Sequence, residues 1–200
     1  TVNGTVKVSS AIMISGNVKF TGGGKLIRTS TSGSIITVSS GADLTLNNIT
    51  IDGGGVVVSG ASADAAVYVN RGGDVIMNRG AALTNHKKSE LTSRGGAVYV
   101  DGGTFTMNGG TISGCQAKNY GGAVYLYDGS RFTMKDGTIE NNTTLADSMY
   151  GGGAFYVREA TLTISGGTIR NNSSACGGAI YNSSYGTTII KGGTITGNSV

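Results

Sequence analysis

The sequence predicts an all-β chain wound as a parallel β-helix, a β-solenoid of about seven coils with three short strands in each. Three observations predict it. The stretch GGAVYVDGGTFTMNGGTIS, beginning at Gly95, returns 26 residues later as GGAVYLYDGSRFTMKDGTI. Within each copy, apolar residues alternate with Thr or Ser at the two-residue period of a half-buried strand. Gly, Asn and Asp punctuate these runs, and no stretch sustains an amphipathic helical pattern.

The coils can be justified in order. The first is the vaguest, with VKV, IMI and VKF between Val6 and Phe20, and is anchored near Val8. The second holds SIITV from Ser34 and DLTLNNITI up to Ile51, anchored near Ile36. The third opens with AAVYV at Ala65 and is anchored near Val67. The last four open on Gly-Gly-Ala at Gly95, Gly121, Gly152 and Gly177, in steps of 26, 31 and 25 residues. They are anchored near Val98, Val124, Phe155 and Ile180. Gly before each strand is read as a source of positive φ at the corners.

Coils stacked about 4.8 Å apart must present like side chains to one another. The repeat therefore predicts inner columns. Phe105, Phe132, Leu162 and Thr188 form one, and Met107, Met134, Ile164 and Ile190 a second. Ile112, Ile139, Ile169 and Ile195 form a third, with Leu83 and Ile51 below. Val98, Val124, Phe155 and Ile180 fill the first strand's inner face. Three residues after the isoleucines stand Asn142, Asn172 and Asn198, with His86 and Cys115 at equivalent places. Asn suits a turn there, its amide able to bond backbone and ladder neighbours.

Composition narrows the function classes. The chain has 200 residues, 36 of them Gly, with no Pro and no Trp. There is no strict G-X-Y period, so collagen is excluded. The net charge of +4 is spread out, with no basic run beyond Lys87-Lys88, which argues against a nucleic-acid partner. No apolar run approaches membrane-spanning length, so no insertion of this segment is expected. Residues 1–200 read as a single β-helix domain. A start at Thr1 without Met and a break at Val200 lead to the expectation of an excised part of a longer extracellular protein. Cys115 and Cys176 lie two coils apart at different offsets, beyond disulfide reach, and are expected to be free thiols.

The runs GGAVYV, GTFTMNGGTISG and GGAIYNSS resemble the Gly-rich repeats of bacterial surface and adhesin proteins with right-handed parallel β-helices. They are also similar to the repeats of chlamydial polymorphic membrane proteins, marked by GGAI and FxxN. Gly177–Ile180 spells GGAI and Phe105–Asn108 spells FTMN, whereas the next copy has Lys135 in place of Asn. The resemblance covers about residues 30 to 200. It implies a right-handed, single-stranded β-helix at the cell surface or outside the cell. Pectate-lyase-like enzymes share that fold, so the fold alone does not settle the function.

A search for chemistry is sparse. A pectate lyase resemblance would imply clustered Asp for Ca²⁺ plus a basic residue. Asp101, Asp128 and Glu159 follow the first strand in successive coils and are the weak metal or catalytic candidates. The plainer expectation is a solvated corner, with Arg158 and Lys135 partly neutralising it. His86, the only histidine, faces no evident Ser or Cys partner and reads as a turn residue. Neither a P-loop nor a GGxGxD Ca²⁺ roll is present. No cofactor is expected.

Two surfaces remain. Tyr68, Tyr99, Tyr125, Tyr156 and Tyr181 recur at one offset, and if Val98 and Val100 point inward the rings point outward. The row is read either as a stiffening ladder or as a stacking face for sugar rings or a protein. The corner after the third strand varies in length, over segments 52–63, 84–94, 113–120, 140–151 and 170–176. It carries Asp64, His86, Lys87, Lys88, Lys118, Tyr120, Asp147, Met149 and Tyr150 at or near its edge. The expectation is a non-catalytic, adhesin-type binding module for a glycan or a host or cell-surface protein, using Tyr99, Tyr125, Tyr156 and Tyr181 with Tyr150 and Asp147. The alternative is a structural stalk or a filament subunit that associates end to end. A polysaccharide lyase or hydrolase is a weaker reading. An ice-binding face on Thr106, Thr133 and Thr163 is another, though Arg131, Glu140 and Arg170 roughen the neighbouring faces.

Overall fold

The computed structural model describes residues 1–59, 64–90, 93–145 and 150–200. Successive coils of the chain stack as a parallel solenoid, and every strand pairing is parallel. One coil shows the plan: Val98–Asp101, Thr104–Met107, Thr111–Ser113 and then Gln116–Ala117. The first three strands are those the repeat predicts. They belong to what may be named by their side chains as the tyrosine, phenylalanine and isoleucine sheets, of seven, seven and eight strands. Gln116–Ala117 belongs to a fourth, four-stranded corner sheet with Val57–Val58, Lys87–Lys88 and Thr143–Thr144. The variable corner thus holds short paired strands where the sequence suggested only loops.

The predicted columns hold in register. Phe105 pairs with Phe132, Phe132 with Leu162 and Leu162 with Thr188. Ile51, Leu83, Ile112, Ile139, Ile169 and Ile195 are likewise consecutive partners. The Phe105 and Phe132 rings stack at 4.9 Å with 3° between planes. From Leu26 to Ile169 the inner residues of the three main sheets form one buried core. Each such side chain contributes roughly 1.5–3 kcal/mol by leaving water. The first coil departs from its anchor. Val8 pairs with Arg28 in the isoleucine sheet, and Ile12 pairs with Ile36 to start the tyrosine sheet. VKV thus lies in the isoleucine sheet and does not open a coil, because this first stretch has no Gly-Gly-Ala to mark the phase.

The glycines do two jobs. Gly95 and Gly121 have φ of 58° and 64°, a left-handed conformation that side chains rarely adopt. The second glycine of the motif is required by space instead. A Cβ on Gly122 would collide with the Gly153 carbonyl, and one on Gly153 with that of Gly178. Asn is the other corner device. Asn142 Nδ2 donates to Ile112 O at 3.2 Å and to Asn172 Oδ1 at 2.9 Å, and Asn172 repeats both bonds one coil on, to Ile139 O and Asn198 Oδ1. His86 Nε2 lies 3.0 Å from the Ile51 carbonyl, so it fills the same role two coils earlier. A second ladder links Asn47, Asn78 and Asn108, and stops where Lys135 replaces Asn.

Candidate functional site

The tyrosine row has the predicted parity but not the predicted exposure. Val98 and Val100 face the main core, and Tyr99 faces away from it. Yet Tyr99, Tyr125 and Tyr156 are only 3%, 2% and 2% exposed. The variable corner folds back over them. Arg94 lies 5.5 Å from the Tyr125 ring centroid, and Tyr120 packs edge-on against Tyr156 at 4.9 Å. With Tyr68, Tyr127, Tyr181 and Ala65, these rings make a second core outside the first. Neighbouring rings of the row stand 5.1–5.4 Å apart. The expected stacking face on Tyr99, Tyr125 and Tyr156 is therefore closed, because apolar ring area left bare by the parity is covered by the chain's own loops. Tyr181 at one end of the row is half-buried, and Tyr150 is 44% exposed at the edge beyond Tyr120. Asp147 and Met149 lie outside the described residues.

The carboxylate row is also taken apart by geometry. Asp101 is registered with Tyr127, not with Asp128. Its Oδ2 accepts the hydroxyls of both Tyr68 and Tyr99 at 3.2 Å. Asp128 pairs with Arg71 and Glu159 with Arg158. Asp128 and Glu159 adopt positive φ, 57° and 50°, as corner residues do. The register leaves Asp101 apart from the other two, and each of the three carboxylates is already bonded to a neighbour. Burial, reinforced by Asp101, pushes the Tyr68 hydroxyl up to about 12, and burial also carries Tyr125 to about 12.

The corner carries buried polar groups. His86 is buried, and burial lowers its ring to about 4, so it stays neutral. Burial likewise lowers Lys88 to about 7, against the opposing pull of Asp64 and with Arg28 and Arg94 adding to the shift. Lys88 Nζ donates to Arg94 O at 3.1 Å and Arg28 donates to Gly33 O at 2.6 Å, so both cations tie corner segments down. Cys115 is a buried thiol outside any disulfide. Burial carries the Cys115 thiol up to about 12, which makes it unreactive.

A further site lies on the outer face of the phenylalanine sheet. The first four strands there are Asn17–Phe20, Asp43–Leu46, Asp74–Met77 and Thr104–Met107. Their outward residues form two columns. One runs Asn17, Asp43, Asp74, Thr104, and the other Lys19, Thr45, Ile76, Thr106. They line an open groove of about 530 Å³ together with Val18, Leu44 and Val75. Sequence reasoning singled out Thr106 and missed the rest. The clue was present, since DLTL and DVIM both begin with Asp at the same offset of consecutive coils.

A family model described as right handed beta helix region matches residues 33–200. No curated protein and no solved structure matches the chain.

Proposed function

The chain belongs to the right-handed β-helix family, and from that premise we propose that it is a non-catalytic binding module of the cell surface or extracellular space whose ligand is a glycan. One observation carries the reading: the groove on the phenylalanine sheet is open to solvent while the tyrosine row is covered. Its grid suits a carbohydrate. Carboxylates and Thr hydroxyls bond ring hydroxyls, and Ile76, 41% exposed, offers an apolar spot for a sugar's C–H face. Four coils extend the grid over about 14 Å at the strand spacing. The non-catalytic part rests on the surroundings of the titratable groups. The His86 ring is buried against a carbonyl, and Asp101, Asp128 and Glu159 are each bonded to a neighbour. Asp43 and Asp74 lie exposed on the open face of the sheet.

A glycan array on the 200-residue chain tests the proposal. Ile76→Arg, at an exposed position, should abolish retention without changing the melting temperature. Retention unchanged by Ile76→Arg would move the site elsewhere. Release of reducing ends from a retained glycan would make the protein an enzyme.

A further inference from the structure

Asp43 and Asp74 are Cα partners on adjacent parallel strands, and both point out of the sheet. The strand spacing puts them about 4.8 Å apart. Like charges directly opposite one another across strands are destabilising. Elsewhere the fold sets acid against base. Glu140 is registered with Arg170 and bonded to it at 2.7 Å. Asp52 accepts from Lys25 at 2.9 Å and Asp136 from Arg79 at 2.7 Å. Among the described residues, neither Asp43 nor Asp74 takes part in an ion pair. The pair faces the groove, with Asn17 and Thr104 on either side and Lys19 in the other column. Arg131 follows Thr104, one coil beyond. A local rule broken with no compensation inside the fold marks a position kept for something outside it.

We propose that the groove takes a glycan bearing free amino groups, holds an ammonium between Asp43 and Asp74, and turns away uronate polymers. This rests on the glycan reading of the same groove. An ammonium has three donors and no acceptor, so it bonds both carboxylates at once through charge-assisted hydrogen bonds. Binding removes the repulsion that the empty pair imposes on the sheet. The hydroxyls of Thr45 and Thr106 then orient the sugar rings. A uronate carboxylate in that position would meet two like charges.

The test is calorimetric titration of the 200-residue chain with three oligosaccharides of matched length: a fully deacetylated glucosamine oligomer, its N-acetylated counterpart, and oligogalacturonate. The deacetylated probe should bind about tenfold tighter than the acetylated one or better, a difference of about 1.4 kcal/mol. Oligogalacturonate should not bind. The double variant Asp43→Asn with Asp74→Asn should bind the two glucosamine probes equally and melt at the same or a higher temperature. Equal affinity for the two glucosamine probes, or binding of oligogalacturonate, overturns the charge proposal and leaves the groove reading standing. A preference that survives in the double variant overturns it as well. No binding to any probe, with no retention on the array, overturns both.

Discussion

His86 shows how much one substitution in a ladder changes. It does the work of Asn142 and Asn172, reaching back to an inner carbonyl, but it can titrate and they cannot. Its folded value of about 4 lies below its ordinary 6.5. Between those values the unfolded chain holds a proton that the folded chain excludes. Stability is therefore full above pH 6.5 and falls as pH drops toward 4, by roughly 3 kcal/mol at the lower limit. His86→Asn should flatten that slope in urea titrations run across the window, and a slope that persists would locate the acid lability elsewhere. Gly122 makes the opposite point, since its role is to have no side chain. Gly122→Ala drives a methyl into the Gly153 carbonyl and should cost about 1–3 kcal/mol, read as a shift in the urea midpoint.

At the scale of the element, the tyrosine strands are two-sided. Valine faces one core and tyrosine the other, so Tyr125→Ala should cost about 3–5 kcal/mol while Tyr125→Phe, which keeps the ring, should cost far less. A melting temperature unchanged in Tyr125→Ala would mean that the second core contributes nothing. The same burial predicts alkaline behaviour. Tyr68 and Tyr125 keep their protons to about 12, whereas in the unfolded chain they lose them near 10. That stability is complete below pH 10 and disappears as pH rises through 12, so tyrosinate absorbance should rise in step with loss of structure. The alternation around Val98, Tyr99 and Val100 made the parity legible in the sequence. The cover was not legible, because Arg94 and Tyr120 come from segments of unequal length whose path no repeat dictates. The groove was hidden for a related reason. Asp43 and Asp74 read as ordinary strand starts until register put them side by side.

Across the whole molecule, each strand pairs only with the coils before and after it, with the Arg71–Asp128 and Arg79–Asp136 ion pairs reaching one coil further, so stability adds up along the axis mainly from unit and interface terms. Ile139 sits in the middle of its column and is fully buried. Ile139→Asp leaves a charge unpaired in an apolar core and should either unfold the chain or split its unfolding into separate transitions. A single transition at the unaltered midpoint would contradict the continuous core. The columns themselves were plain in the sequence because Gly-Gly-Ala and Gly-Thr-Ile fix the phase of four coils. The first coil has neither motif, and there the expected anchor at Val8 gave way to Ile12.

Hydrogen bonds between coils all run along the solenoid axis, and that makes the molecule mechanically anisotropic. A pull on the two chain ends loads one coil's bonds at a time, as a zipper is loaded, and not many in parallel. The terminal coil yields first and passes the load inward. In a single-molecule stretching trace this appears as a series of low, similar force peaks. With coils of 25 to 31 residues, each peak releases about 90–110 Å of chain.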